Sequence, residues 1–319
     1  MSLLSHLAYD ILTILGPTAT GKTQLAVQLA DNLGGEIISA DSRQVYRGMD
    51  IGTGKDLGEY NSNGNSIPYH LIDIVNPTDE YNVAKFQKDF QRVSTDIRER
   101  GNLPILCGGT GFYIKAVLMD FQIPKAEPNK HLRERLESWS LNDLVSKLES
   151  ISPGASENTP TDTKRRVIRA IEIELGNADC GLRIADSRSP IPDPRSPILD
   201  LRNCLVLGID YPRKVIRERI TARLHDRLEK GMIEEVELLL KNGVTHAKMD
   251  SFGLEYRYIN QYLLGELSRD VMVEKLNTAI HRFAKKQMTF FRNMEKNGIK
   301  IHWIPEGDFE IALGVISKG

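Results

Sequence analysis

Eight consecutive residues, Gly16-Pro17-Thr18-Ala19-Thr20-Gly21-Lys22-Thr23, constrain the fold of this 319-residue chain more than any other stretch. They match the pattern G-x-x-x-x-G-K-[ST]. An apolar run, Ile11–Leu15, precedes them, and a segment with Leu25, Ala26, Leu29 and Leu33 at helical steps follows. Between strand and helix, backbone N–H groups can curl around phosphate oxygens while the helix N-terminus adds positive potential. The loop from Gly16 through Thr23 is therefore expected to hold phosphate, with Lys22 at the terminal phosphate and Thr23 as a ligand for Mg²⁺. A strand feeding such a loop is buried on both faces, which calls for a parallel sheet covered by helices.

The chain as far as residue 120 agrees with that frame. Strands are expected at Glu36–Ser39, Tyr69–Val75 and Leu103–Cys107, and helices over Val83–Arg100 and through Leu118. Alternating strand and helix places a ligand at the C-terminal ends of the strands. The segment 121–200 differs: helices at His131–Trp139, Asn142–Glu149 and Thr163–Leu175 lead into a Pro/Ser/Arg/Asp stretch, Asp186–Asp200. This reads as an inserted, partly mobile helical domain with a loose exit. A core strand resumes at Cys204–Ile209. Helices then follow over Arg213–Lys230, Ile233–Lys241, Tyr256–Leu264 and Arg269–Glu295, and a strand over Lys300–Ile304. The expected architecture is a P-loop NTPase-like α/β fold: 1–120 and 201–319 form the core, with 121–200 inserted and the C-terminal part helical.

Composition narrows the class. No apolar run approaches a membrane span, and no leader is expected at the N-terminus. Cys107, Cys180 and Cys204 are too scattered for a zinc finger or a disulfide framework, so a cytoplasmic setting is expected. The totals, 42 Lys and Arg against 43 Asp and Glu, conceal an asymmetry. Residues 1–120 hold 10 basic against 14 acidic groups, and the remainder holds 32 against 29. Arg282, Lys285, Lys286, Arg292 and Lys296 form a basic helical stripe, with Leu276, Ile280, Phe283, Phe290 and Met294 expected on the opposite, core face.

A phosphate loop alone does not fix the chemistry. An ATPase usually carries an acidic residue at the end of a core strand, yet Leu103–Cys107 ends in Gly108-Gly109-Thr110. The strand Glu36–Ser39 does deliver an acid, Asp41, to the same rim. Its residue type allows three roles: metal ligand, general base, or cap of the strand end.

Further motifs carry a family likeness. Ser39-Ala40-Asp41-Ser42-Arg43-Gln44-Val45-Tyr46, Asp50-Ile51-Gly52-Thr53, His70-Leu71-Ile72-Asp73 and Gly108-Gly109-Thr110-Gly111-Phe112-Tyr113 occur in order after the phosphate loop. Arg165–Glu172, Arg219–Arg223 and Ala284–Arg292 extend the match over nearly the whole chain. Together they closely resemble tRNA dimethylallyltransferases. The resemblance implies that the loop holds dimethylallyl diphosphate rather than ATP, and that the five-carbon group passes to N6 of adenine 37 beside the anticodon. It implies Asp41 as general base, Arg223 as a pyrophosphate contact and Thr110 near the target base. It implies Asp41, Ser42, Arg43, Gln44, Thr110, Arg133, Arg165, Arg166, Val167, Ile168 and Arg169 as contacts to the tRNA anticodon stem-loop. It further implies Mg²⁺ as cofactor; separately, a monomer is expected. Residue by residue, Arg133 could equally be a solvated helix charge, and Arg165, Arg166 and Arg169 could pair locally with Glu172 and Glu174. Alternatives are prenylation of free adenylate and, less favoured, a P-loop small-molecule kinase.

The chain also departs from the family pattern. Gly52-Thr53-Gly54-Lys55-Asp56 replaces the usual Gly-Thr-Ala-Lys-Pro, and Gly253-Leu254-Glu255-Tyr256-Arg257 replaces Gly-Tyr-(Lys/Arg). Ile280-His281-Arg282 and Glu157–Asp162 differ as well. These changes cluster where tRNA contacts are expected.

Overall fold

Five-residue apolar segments buried on both faces build the centre of the molecule. In the computed structural model, which describes residues 9–119, 128–179 and 203–318, the elements run as follows. First come β1 (Ile11–Leu15), α1 (Lys22–Leu33) and β2 (Gly35–Ser39), then a 3-10 turn (Leu57–Tyr60). A small hairpin of β3 (Asn61–Ser62) and β4 (Asn65–Ser66) leads to β5 (Tyr69–His70), α2 (Val83–Glu99), β6 (Leu103–Gly108) and α3 (Gly111–Leu118). Four helices follow: α4 (Lys130–Glu137), α5 (Leu141–Ile151), α6 (Ala155–Asn158) and α7 (Lys164–Asp179). The chain then gives β7 (Cys204–Asp210), α8 (Arg213–Glu229), α9 (Met232–Lys241), α10 (His246–Ser251), α11 (Leu254–Leu263) and α12 (Arg269–Lys296). It closes with β8 (Ile301–Pro305) and α13 (Phe309–Ile316).

The main sheet has six strands in the order β5-β2-β6-β1-β7-β8. All five pairings are parallel, with Leu15 opposite Gly108 and Gly208, and Ser39 opposite Cys107. The expected P-loop-type parallel sheet flanked by helices is therefore present. Alternate strand residues feed two cores. Leu12, Ile14, Ile37, Ile105 and Leu207 pack with α1 and α13. Ile11, Leu15, Ile38, Leu106 and Val206 pack with Phe86 and Phe90 of α2, Ile114 of α3 and Phe291 of α12. A third core joins Val45, Tyr46 and Met49 to α8, α9, α11 and α12 through Leu224, Met232, Tyr256 and Leu276.

Helix ends follow local chemistry. The Asn82 carboxamide accepts from Ala84 and Lys85 N–H to start α2, and the Ser268 hydroxyl accepts from Val271 N–H to start the 28-residue α12. One strand is shorter than the sequence suggests. The apolar run Tyr69–Val75 leaves the sheet after His70, because Leu71 and Asp73 adopt left-handed backbone (φ 61° and 54°). Only an isolated bridge, Tyr46 to Val75, continues the pairing. Helix α13 has no counterpart in the sequence reading.

The chain divides into two units, Met1–Phe121 with Pro197–Gly319, and Gln122–Ser196. The second has its own small core of Leu136, Leu144, Leu148, Val167, Ile168 and Ile171. Cys180 and the Asp186–Asp200 stretch lie outside the described residues. Among the described residues no helix is long and apolar enough to cross a membrane.

Candidate active site

The phosphate loop leaves the C-terminal end of β1 and turns into α1 through Gly21, whose left-handed backbone (φ 77°) occupies the N-cap position. Ala19 is also left-handed (φ 63°), a conformation that costs an alanine about 1–2 kcal/mol. Neighbouring groups hold the turn: Thr20 Oγ1 donates to Pro17 O (2.9 Å), and Arg219 Nε donates to Ala19 O (2.8 Å). From α12, the Gln287 carboxamide accepts from Thr18 N–H (2.9 Å) and donates to Gly109 O (2.8 Å), tying the loops after β1 and β6 together. Lys22 Nζ donates to Pro17 O (2.6 Å). Burial lowers the Lys22 pKa to about 8, with Arg223 adding to the shift.

Asp41 stands just beyond β2. Its Oδ1 accepts from Arg43 N–H (2.8 Å) and Gln44 N–H (3.4 Å), so one oxygen caps the turn. Among the described residues Oδ2 has no hydrogen-bond partner, and the carboxylate lines the cavity. The capping role weighed from the sequence is thus real and leaves an oxygen for chemistry. Thr110, the N-cap of α3, accepts from Ser42 N–H through Oγ1 (3.1 Å) and so fastens the Asp41–Gln44 turn to the end of β6. Gln44 accepts from Ser39 Oγ (3.0 Å) and donates to Gly54 O (3.3 Å). Arg43 lines the same cavity.

Two cavities meet at the phosphate loop. One, of about 460 Å³, is lined by Lys22, Thr23, Asp41, Thr110 and Arg223 and by the rings of Phe112, Phe252, Phe283 and Phe290. The other, of about 710 Å³, is polar and is lined by Gly21, Lys22, Thr23, Asp56, Glu59, Arg219 and Arg223. Phe283 corrects an expectation, while Phe290 packs against the sheet core as expected and also borders the cavity. Helical spacing assigns them to a packed face of α12, yet Phe283 is 45% exposed and both border the first cavity. The face of α12 that looks like core is partly the wall of a site.

Electrostatics identify the ligand class. Arg223 projects from α8, and burial, then Arg227, lowers its pKa to about 10. Burial likewise lowers the pKa of Arg227. Among the described residues neither these two nor Lys22 forms a salt bridge with a carboxylate. Arg227 is buried and Lys22 and Arg223 are half-buried, so three cations line one wall without a carboxylate in salt-bridge contact, an arrangement that suits an anion. Thr23 suits Mg²⁺ only as one donor among several. No group of three His, Cys, Asp or Glu side chains among the described residues is placed to hold a metal. A hydroxyl beside a phosphate site fits a hard cation that takes its other oxygens from substrate and water.

The loop carrying Gly52–Lys55 is fixed by residues the motifs did not single out. Glu235 of α9 accepts from Asp50, Ile51 and Gly52 N–H (2.7, 2.6 and 3.0 Å) and from Tyr256 Oη (2.8 Å). Buried Lys55 donates to Tyr46 O, Asp50 Oδ1 and Asp73 Oδ1 (2.9, 2.7 and 2.5 Å). Lys55 and Glu255 lie in the two blocks noted as departures from the family pattern, whereas Glu235 and Arg227 belong to no motif and sit in the helical stretches of α9 and α8.

The inserted unit contains the remaining expected RNA contacts. Arg133 clasps Glu172 with two bonds (2.7 and 2.8 Å), and Arg169 adds a third (3.1 Å). Burial alone would raise the Glu172 pKa, but these arginines and Asn129 N–H hold it below the ordinary value. Arg166 pairs with Asp162 (2.6 Å), and Arg165 is exposed. Val167 and Ile168, also expected among the RNA contacts, have side chains 0% and 3% exposed in the core of this unit, so any contact they make with RNA runs through their backbone. Helix α7 turns them inward while Arg165 and Arg166 face outward.

Comparison with known proteins gives a consistent answer. The family model described as IPP transferase matches residues 44–294, and that described as isopentenyl transferase matches residues 9–64. The chain is 49% identical to tRNA dimethylallyltransferase 1 of Parabacteroides distasonis over 297 residues, covering 93% of this chain and 92% of the relative. It is 48% identical to tRNA dimethylallyltransferase 1 of Geotalea uraniireducens over 299 residues, covering 94% and 93%. The crystal structure of a tRNA isopentenylpyrophosphate transferase from Bacillus halodurans superimposes with a TM-score of 0.67 at 34% identity, covering 97% of this chain and 95% of that one.

Proposed function

This chain belongs to the IPP transferase family, whose relatives named above are tRNA dimethylallyltransferases, and from that premise we propose how its site carries out the transfer. It is a prenyltransferase acting on tRNA. The relatives and the solved structure named above, all tRNA-acting transferases, favour this reading over adenylate prenylation and a small-molecule kinase. The acceptor we assign is N6 of adenine 37 in the anticodon loop, and the donor is dimethylallyl diphosphate. The reading rests on one observation: the Asp41 carboxylate borders the same cavity as Lys22, Thr23 and Arg223.

The diphosphate lies against the loop Gly16–Thr23 with Lys22 and Arg223 on its oxygens. These cations stabilise charge as the allylic C1–O bond breaks and its electron pair moves to the diphosphate. Thr23 would be this chain's ligand for Mg²⁺, which would add further neutralisation of the diphosphate charge. The target adenine leaves the loop stack, as base-modifying chemistry requires, and its ring is received among Phe112, Phe283 and Phe290. The N6 lone pair is delocalised into the ring, so Asp41 accepts the N6 proton as the new C–N bond forms. Products are the N6-dimethylallyl base and pyrophosphate. Ser42, Arg43, Gln44, Thr110, Arg133, Arg165, Arg166 and Arg169 remain the assigned tRNA-facing positions. The acting form we assign is a monomer, and tRNA as acceptor supports the cytoplasm as its place.

Incubation with labelled dimethylallyl diphosphate, Mg²⁺ and either total tRNA or AMP tests the proposal. Label in the anticodon-loop adenine of tRNA and none in AMP is the expected result. Label in AMP alone, or phosphate release from ATP without prenyl transfer, overturns it.

A further inference from the structure

The wall shared by the two cavities carries one more cation than the reaction scheme uses. Arg227 sits one helical turn beyond Arg223 on α8, is 9% exposed and borders both cavities. Its Nη1 donates only a long bond to Gly52 O (3.4 Å). Its tip occupies the space over Gly54. A β-carbon built on Gly54 would fall on Arg227 Nη2, lie 2.8 Å from Arg227 Cζ and come within 3.0 Å of Arg223 Nη2. Both guanidinium tips therefore crowd one point on the cavity wall, and the absence of a side chain at position 54 admits the second. Gly54 has left-handed backbone (φ 68°), so an alanine there is also strained.

We infer that Arg227 is a second guanidinium of the diphosphate site, a donor-binding residue that enters the cavity because position 54 is glycine. This rests on the transferase reading given above. Two like charges side by side are repelled, and a diphosphate, with oxygens on two phosphorus atoms, can receive both. Glu255, at the first turn of α11, borders the first cavity and is the leading opposite charge acting on Arg227. It balances Arg227 without forming a salt bridge with it. Residues 54 and 255 both fall at departures from the family pattern, and here they converge on one arginine.

The test uses the full chain and the variants Arg227→Gln, Gly54→Ala and the double variant. Inorganic pyrophosphate binding is measured by calorimetry, and KM for dimethylallyl diphosphate and for tRNA by steady-state kinetics. Losing a charged hydrogen-bond donor should weaken pyrophosphate binding and raise the donor KM about ten- to hundredfold. The tRNA KM should stay within about threefold of wild type, a split that a general loss of structure would not give. Gly54→Ala should act in the same direction, and the double variant should fall clearly short of the sum of the two, because with Arg227 gone the alanine meets only Arg223 and its own backbone strain. Pyrophosphate affinity within about twofold of wild type in Arg227→Gln overturns the proposal, as do fully additive effects in the double variant. If Gly54→Ala proves too unstable to purify, the Arg227→Gln titration decides alone. Calorimetry needs no turnover, so it reads the role of Arg227 even if prenyl transfer fails in the wild type.

Discussion

Replacing Gln287 by leucine gives the sharpest test of how the site is assembled. The carboxamide joins three parts of the chain: α12, the phosphate loop through Thr18 N–H, and the end of β6 through Gly109 O. Leucine fills similar volume but leaves both backbone groups without their partner. Each buried unsatisfied group costs about 1–3 kcal/mol. Gln287 is 8% exposed and borders a water-accessible cavity, so solvent recovers part of that loss. The balance is a destabilisation of about 2–3 kcal/mol. Urea titration should show a lowered midpoint with an unchanged slope. Kinetically, the freed Thr18 segment should bind diphosphate less well, raising the donor KM about tenfold, while the tRNA KM changes little. Gln287→Glu separates the two bonds, since a carboxylate keeps the Thr18 contact but opposes Gly109 O and the diphosphate. It should be milder than leucine in urea and worse in donor KM. A Gln287→Leu protein within about 0.5 kcal/mol of wild type, with normal donor KM, refutes the bridging role.

Three further outcomes are expected. Asp41→Asn keeps an oxygen for Arg43 N–H but cannot take the N6 proton, so kcat should fall about 10²-fold or more with donor KM little changed; a near-normal single-turnover rate removes Asp41 as base. Lys22, with its pKa lowered to about 8, must be protonated to meet diphosphate, so donor kcat/KM should be flat below pH 8 and fall above it. Pyrophosphate binding near pH 8 should take up a proton, read as calorimetric enthalpies that vary with buffer; no such variation contradicts the assignment. Glu172→Gln should destabilise the inserted unit by about 1–2 kcal/mol, seen as faster limited proteolysis within 128–179. In the wild-type protein the pKa of Glu172 is depressed on folding. Its contribution is therefore present above the ordinary carboxylate value of 4.5 and is lost as pH falls through the lower folded value.

Much of this site was legible before any coordinates, for a physical reason. The phosphate loop and Asp41 follow buried strands, where short apolar runs and glycines leave few alternatives, and the parallel sheet brings their ends to one rim. Helical periodicity failed where polarity and burial part company. Phe283 and Phe290 are apolar yet face a cavity, whereas Gln287, Arg227 and Lys55 are polar yet buried. Pattern reading misplaces Phe283 and gives no sign that Gln287, Arg227 and Lys55 are buried, because a site inverts the usual rule. The Tyr69–Val75 run misled in another way: its residues are apolar because Leu71 and Ile72 enter cores beside the sheet, not because they extend a strand.

The strand order has a consequence for how such a site can change over time. Between β1, which ends in the phosphate loop, and β2, which ends near Asp41, lies β6, closing in Gly108 and Gly109. A β-carbon on Gly108 would sit 2.6 Å from the Ala40 carbonyl carbon, so this middle strand end stays bare. Neighbouring strands are ~4.8 Å apart, and two such steps make about 10 Å. The separation between the phosphate loop and Asp41 is thus a ruler cut into the backbone's own hydrogen bonding. Loops around it can drift, but the span from the phosphate loop to Asp41 is not theirs to adjust.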